Sequence, residues 1–184
     1  LAQLGLTPRD QAERQIRALN GAAGGCRPLS PDTDIEGAYF GRGHPGAPGA
    51  DLKDLLEELM AGGFSTIPDS YDRACELHYP GGETARGHAA AERFWLGLRA
   101  ALPSAAFRVE HVTGIEEPGQ PPRASLRWSL YGRHDGPGLF GPPTGGFLYV
   151  MGITQAEFGP RGLRREWTLI DDTAIWTQIL LATG

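Results

Sequence analysis

Asp171 and Asp172 stand side by side in "TLIDDTAIW", and His134 closes the run "ASLRWSLYGRH". Carboxylates and imidazole are side chains that carry protons in acid/base chemistry. Taken as one strand, residues 162 to 181 put Leu163, Trp167, Leu169, Asp171, Ile175 and Ile179 on one parity. Glu166, Thr168, Ile170, Asp172 and Trp176 fall on the other. Asp171 is therefore expected to point into the apolar interior and Asp172 away from it. A carboxylate held there is desolvated, its pKa rises, and it becomes a candidate general acid or base. The competing reading is a β-bulge in "IDD" that exchanges the two faces, or an Asp171 that accepts backbone hydrogen bonds at a strand end. His134 shares its parity with Ala124, Leu126, Trp128, Leu130 and Gly132, so it ends an apolar face as a candidate acid, base or hydrogen-bond donor. Beside Gly136 and Pro137 it also reads as a solvated turn residue.

Other chemistries find less support. His44, His78, His88 and His111 show no H-E-x-x-H or comparable spacing, and no metal site is expected. No G-x-S-x-G elbow surrounds a serine and neither Cys26 nor Cys75 has a nucleophile context, so covalent catalysis is not expected. Trp95, Trp128 and Trp167 read as core, or as the wall of one cavity. "GPGLFG" at 136 to 141 matches G-x-G-x-x-G, yet a dinucleotide site needs a helix opening directly after the glycines, and "PPTGGF" follows instead. The segment is expected to be a loop between two strands, and no cofactor is expected.

The elements that must hold these residues come in two blocks. "TPRDQAERQIRALNG" predicts a helix over 7–21, with Thr7 as N-cap and Pro8 at its first position. Residues 21 to 50 carry eight Gly and four Pro and read as a loop. "DLKDLLEELMAGG" gives a second helix over 51–63, and the run ending at Pro103 a third, with Ala91, Phe94, Trp95, Leu98, Ala101 and Leu102 on its apolar face. After Pro103 the period changes to two, which predicts strands at 106–116, 123–134, 146–158 and 162–181. Helices first and strands afterwards, without β-α-β alternation, indicate an α+β domain.

Composition narrows the class. The chain has 184 residues, enough for one domain with a substantial core. A net charge of -5 argues against phosphate-backbone binding, so no nucleic-acid partner is expected. No apolar run reaches membrane-spanning length, and "LAQLGLTPRD" lacks the pattern of a signal peptide. Two cysteines without a framework fit a reduced compartment, and the expected location is cytoplasmic, with no membrane partner.

Together, "YPGGETARGHAAAERFWLGLRAALPSAAFRVEHV", "ASLRWSLYGRHDGPGLFGPPTGGFLYVMGI" and "GLRREWTLIDD" resemble the SnoaL-like polyketide cyclases of the nuclear transport factor 2 superfamily. Residues 51–184 would form that domain, and 1–50 a helix-plus-loop extension. The resemblance implies a cone: a curved mixed sheet wrapped around about three helices, enclosing a deep apolar pocket, commonly in a homodimer. It implies cofactor-independent aldol-type ring closure on an apolar, carbonyl-bearing small molecule, with a late acidic residue as acid/base. By that resemblance Asp171 matches the acid, and His134 would orient or protonate a substrate oxygen. Trp128, Trp167, Trp95, His78 and Tyr149 would line the pocket. The same fold hosts hydratases, dehydratases, isomerases, epoxide hydrolases and non-catalytic binding or dimerisation modules. Water-adding chemistry would want a second acid or an arginine, for which Arg127 and Arg165 are available, although Arg127 has the parity opposite to Trp128.

Overall fold

A computed structural model describes residues 5–19, 29–33, 41–82 and 84–183. Helix α1 (Pro8–Leu19) starts at a reciprocal cap: Thr7 Oγ1 accepts from the Asp10 amide at 3.1 Å, and the Thr7 amide donates to Asp10 Oδ2 at 2.9 Å. Helix α2 (Gly46–Met60) begins before the expected position and buries Leu52, Leu55, Leu56, Leu59 and Met60. The remainder of the expected 21–50 loop lies largely outside the described residues. A 3-10 turn (Phe64–Thr66) and the short α3 (Ile67–Ser70) lead into β1 (Tyr71–His78) and β2 (Thr84–Arg86), which are strands beyond those expected from the period. Helix α4 (His88–Ala101) buries Ala90, Ala91, Phe94, Trp95, Leu98 and Ala101, the apolar stripe visible in the sequence.

Strands β3 (Ala106–Ile115), β4 (Arg123–Arg133), β5 (Phe147–Gly159) and β6 (Gly162–Ile170) follow, and α5 (Asp172–Thr183) ends the chain. The sheet order is β2-β1-β6-β5-β4-β3, antiparallel except for the parallel pair β1 and β6. The architecture is the expected α+β cone: α2 and α4 pack on the sheet's inner face, where Trp95 and Trp128 meet with ring centroids 6.0 Å apart. Both tryptophans are completely buried in that interior.

The strand expected over 162–181 is half helix. Chain pairing with β5 ends at Ile170, and from Asp172 onward Ile175 and Ile179 are buried at i, i+4 spacing. Helix α5 is fixed to the part of β5 that β6 does not reach. Gln178 Oε1 accepts from the Tyr149 amide at 2.7 Å while Gln178 Nε2 donates to the Tyr149 carbonyl at 3.0 Å, so one side-chain amide replaces a neighbouring strand. Helix α1 packs on α5, with the Arg9 guanidinium 5.4 Å from the Trp176 ring centre.

"GPGLFG" lies in the β4–β5 loop, as expected. Two of its three glycines serve close backbone packing: a Cβ at Gly136 would sit 1.9 Å from the Ala100 carbonyl oxygen, and one at Gly138 would sit 2.2 Å from that of Gly97. The loop lies against α4, where the Leu139 amide donates to the Gly97 carbonyl at 3.2 Å.

Candidate functional site

The decisive local feature is an irregularity at the start of β6. Leu163 pairs with Phe158 and Arg165 with Glu157, which leaves Arg164 as an extra residue on β6. The opposite neighbour is also irregular: between the pairs Tyr71–Leu163 and Glu76–Arg165, β1 holds four residues against one on β6. Asp72 ties this bulge down, accepting from the Ala74 amide at 2.9 Å and from Arg161 Nε at 3.1 Å. Because strand side chains alternate, one inserted residue exchanges every face beyond it. Leu163 points inward, but so do Glu166 and Thr168, while Trp167 and Leu169 point outward.

This corrects the parity assigned to Asp171. The bulge at Arg164 lies seven residues before Asp171, which is an exposed N-cap whose Oδ1 accepts from the Ala174 amide at 2.9 Å. Its carbonyl also accepts from the Ile175 amide at 3.0 Å. The half-buried Asp172 has its pKa raised by burial and then by the neighbouring Asp171 charge.

The interior acid is Glu166, at 0% exposure. Thr168 Oγ1 donates to its Oε1 at 2.7 Å, and the phenols of Tyr71 and Tyr79 donate to its Oε2 at 2.7 and 3.1 Å. The chain of hydroxyls continues: Thr168 Oγ1 lies 2.9 Å from Thr154 Oγ1, which accepts from Trp128 Nε1 at 3.0 Å. Trp95 supplies a buried indole N–H that lacks a well-aligned hydrogen bond yet favours the ionised form of Glu166. Among the described residues no cation bonds this carboxylate. Burial raises its pKa, and the donors from Thr168, Tyr71 and Tyr79 only partly offset that. Tyr71 and Tyr79 are in turn pushed well above the usual phenol range, by burial first and the Glu166 charge second.

Of the other expected site residues, Trp128 and Trp95 adjoin this network. His134 does not: it is buried under the β4–β5 loop, its Nδ1 3.2 Å from Thr144 Oγ1 and its Nε2 without a partner. Its backbone pins the loop, the amide donating to Gly146 O at 2.8 Å and the carbonyl accepting from the Thr144 and Gly145 amides. Burial lowers its pKa, against a smaller opposing pull from Asp135. Trp167 and His78 stack on the outer face, ring centroids 5.5 Å apart and planes 4° from parallel. Tyr149 stands on that face's parity beside Tyr131, and Arg127 points outward while Arg165 engages Glu157 at 3.6 Å. Glu166 was legible only as the residue opposite Asp171 in parity.

Two outer-face grooves border Trp167. One, of about 580 Å³, runs over Thr113, Ser125 and Gln155; the other, of about 550 Å³, runs over His78, Tyr79, Gly81, Ile153 and Leu169. Tyr79 connects the outside with Glu166. It is only partly buried, lines the second groove, and stacks on Phe94 with centroids 4.0 Å apart.

The SnoaL-like polyketide cyclase family model matches residues 50–179. A candidate SnoaL-like polyketide cyclase from Jannaschia sp. CCS1 superposes with a TM-score of 0.61 at 22% identity, over 71% of this chain and 89% of that one. IdmH, a candidate polyketide cyclase from Streptomyces antibioticus, gives 0.59 at 18% identity over 72% and 98%. AclR, a candidate hydroxylase from Streptomyces galilaeus, gives 0.57 at 18% identity over 72% and 83%. At these identities the likeness is one of fold. No curated protein matches by sequence.

Proposed function

Because the chain belongs to the SnoaL-like polyketide cyclase family, we propose that it closes a ring in an apolar, carbonyl-bearing, polyketide-like substrate by cofactor-independent acid/base chemistry, with Glu166 as the proton carrier. The observation that carries this reading is a wholly buried carboxylate held by three side-chain hydroxyls, without a bonded cation among the described residues. Desolvation brings such a group toward the pH range where it exchanges protons.

In the proposed step Glu166 removes a proton alpha to one carbonyl, and the enolate carbon attacks a second carbonyl of the same molecule. One C–C bond forms, and the resulting alkoxide takes the proton back, so the carboxylate is regenerated. The substrate enters by displacing the phenol of Tyr79, a residue that is partly exposed and lines the second groove, and that phenol then hydrogen-bonds the enolate oxygen. Asp171 has no part in this step, and His134 holds the β4–β5 loop. The water-adding alternative loses its arginine partners, since Arg127 and Arg165 face outward.

A second, non-catalytic reading draws on the packing. Trp95 and Trp128 are completely buried in the interior, and Glu166 has no exposed surface. In that reading the polar chain only satisfies itself and specifies the core. Turnover of an acyclic polyketone ester separates the two. Glu166→Gln is expected to lower kcat about 10²- to 10⁴-fold with the fold retained, whereas undiminished turnover removes Glu166 from the chemistry.

We also assign the expected homodimer to the outer sheet face. Phe147, Met151, Ile153, Trp167 and Leu169 are exposed there, Ile153 directly beside Leu169. Next to them runs a row of alternating sign, Arg123, Glu157, Arg165, Glu76 and Arg86, one residue per strand. A second copy can meet such a row without facing a single sign of charge. Sedimentation equilibrium should find a dimer that Leu169→Glu dissociates; a monomeric parent protein contradicts the assignment.

A further inference from the structure

We infer that Trp128 is a positioning residue for Glu166, acting through Thr154 and Thr168 to hold Oε1 as a permanent acceptor and so to assign proton exchange to Oε2. This rests on the reading of Glu166 as the proton carrier, and it follows from the direction of the hydrogen-bond chain.

An indole N–H can only donate. With Trp128 Nε1 donating to Thr154 Oγ1 at 3.0 Å, the one arrangement that uses every hydroxyl proton runs from Thr154 to Thr168, 2.9 Å away, and from Thr168 to Glu166 Oε1 at 2.7 Å. Reversing it would crowd two donors onto Thr154 and leave its own buried hydroxyl proton without one of these acceptors, which costs free energy. All four residues are buried, so water does not interrupt the chain. Each donor polarises the next, and the end of the chain meets Oε1 as a stronger donor than an isolated threonine.

The other oxygen faces different chemistry. The phenols on Oε2 both donate and accept, so a proton can reside between Oε2 and Tyr79 or Tyr71, and Tyr79 leads toward the surface. The groups facing Glu166 are Tyr71 and Cys75 from β1, Tyr79 from the turn after it, and the Trp95 indole from α4. Among the described residues none of these is a fixed cation, so this chain of donors is a principal support of the ionised form. The site is thus asymmetric: one oxygen is held by fixed donors, and the other is the working atom.

The test reads Glu166 directly, without turnover. The carboxyl stretch of the protonated acid is followed against pH by infrared difference spectroscopy and assigned by its loss in Glu166→Gln. Thr154→Val, which keeps the shape and removes the hydroxyl, is expected to raise the Glu166 midpoint by about one pH unit, a tenfold change in the ionised fraction. Trp128→Phe, which cuts the chain at its start, should shift it the same way, and Thr154→Ser, which preserves the chain, should leave it in place. An unmoved midpoint in folded Thr154→Val or Trp128→Phe overturns the inference, as does an equal shift in Thr154→Ser. A shifted midpoint with full turnover in Glu166→Gln would keep the hydrogen-bond chain and refute only the catalytic reading.

Discussion

Tyr71 Oη donates to Glu166 Oε2 at 2.7 Å and so joins the two parallel strands β1 and β6 through side chains 95 positions apart in sequence. Tyr79 donates to the same oxygen from the turn that follows β1. Their different burial predicts different outcomes. Tyr71→Phe leaves a fully buried acid short of a donor and should cost about 1–3 kcal/mol in urea unfolding. Tyr79→Phe, at the partly exposed position, should cost less stability and chiefly lower kcat. Equal stability losses with unchanged kcat in Tyr79→Phe would reduce both phenols to scaffolding.

The raised pKa of Glu166 predicts a pH dependence of stability. Below the unfolded-chain value of about 4.3, both states hold the proton and the contribution of this group is fully present. As pH rises, the unfolded chain releases its proton first, the native state binds more protons, and stability falls until the folded pKa is passed. Urea midpoints from pH 4 to 8 should therefore decline more for the parent protein than for Glu166→Gln. Parallel curves would mean that Glu166 titrates normally. His134, lowered by burial, has the opposite sign: its contribution is present above the usual imidazole range and is lost as pH falls through the folded value.

What was legible in the sequence was whatever repeats over several turns or strands. The stripe Ala91, Phe94, Trp95, Leu98 located α4, and the alternation from Ala124 to Leu130 located β4. The β4–β5 loop was readable too, because paired prolines followed by paired glycines interrupt both helical and strand hydrogen bonding. The buried acid was not, because the orientation of Glu166 depends on Arg164, one bulge residue that no period reveals. A strand period carried across such a residue gives the right element and the wrong face. The change from β6 to α5 compounded this, since Asp171 is acceptable both as a strand residue and as a cap. Leu163 to Ile170 nevertheless carries the buried polar pair in the opposite parity, where Glu166 and Thr168 stand together.

Asp171 supplies a prediction that separates its two readings. As the N-cap of α5 it should lose about 1 kcal/mol of stability on replacement by alanine and little on replacement by asparagine, which caps as well. Turnover should be unchanged in both variants. A folded Asp171→Asn protein without activity would return the acid/base role to this position and displace Glu166 from it.

The glycines of "GPGLFG" give the last prediction, because the nucleotide and packing readings demand different losses. In a phosphate cradle the glycines expose amides to a ligand, so Gly138→Ala would weaken binding and leave the free protein folded. Here the Cα of Gly138 faces α4, where a Cβ would lie 2.2 Å from the Gly97 carbonyl oxygen and 2.6 Å from the Ala101 amide nitrogen. Neither contact partner can yield without moving the helix that carries Trp95 and Leu98. Gly138→Ala should therefore destabilise the unliganded protein by about 1–3 kcal/mol, the usual cost of overpacking. Gly141→Ala, with positive φ and open space around it, should pay only the backbone strain of a left-handed residue, about 1–2 kcal/mol. Because His134 is pinned by the same loop, loosening it through Gly138→Ala should also raise amide exchange at Thr144 and Gly145, whose N–H groups donate to the His134 carbonyl. Normal stability and exchange in Gly138→Ala would show that α4 does not depend on this approach.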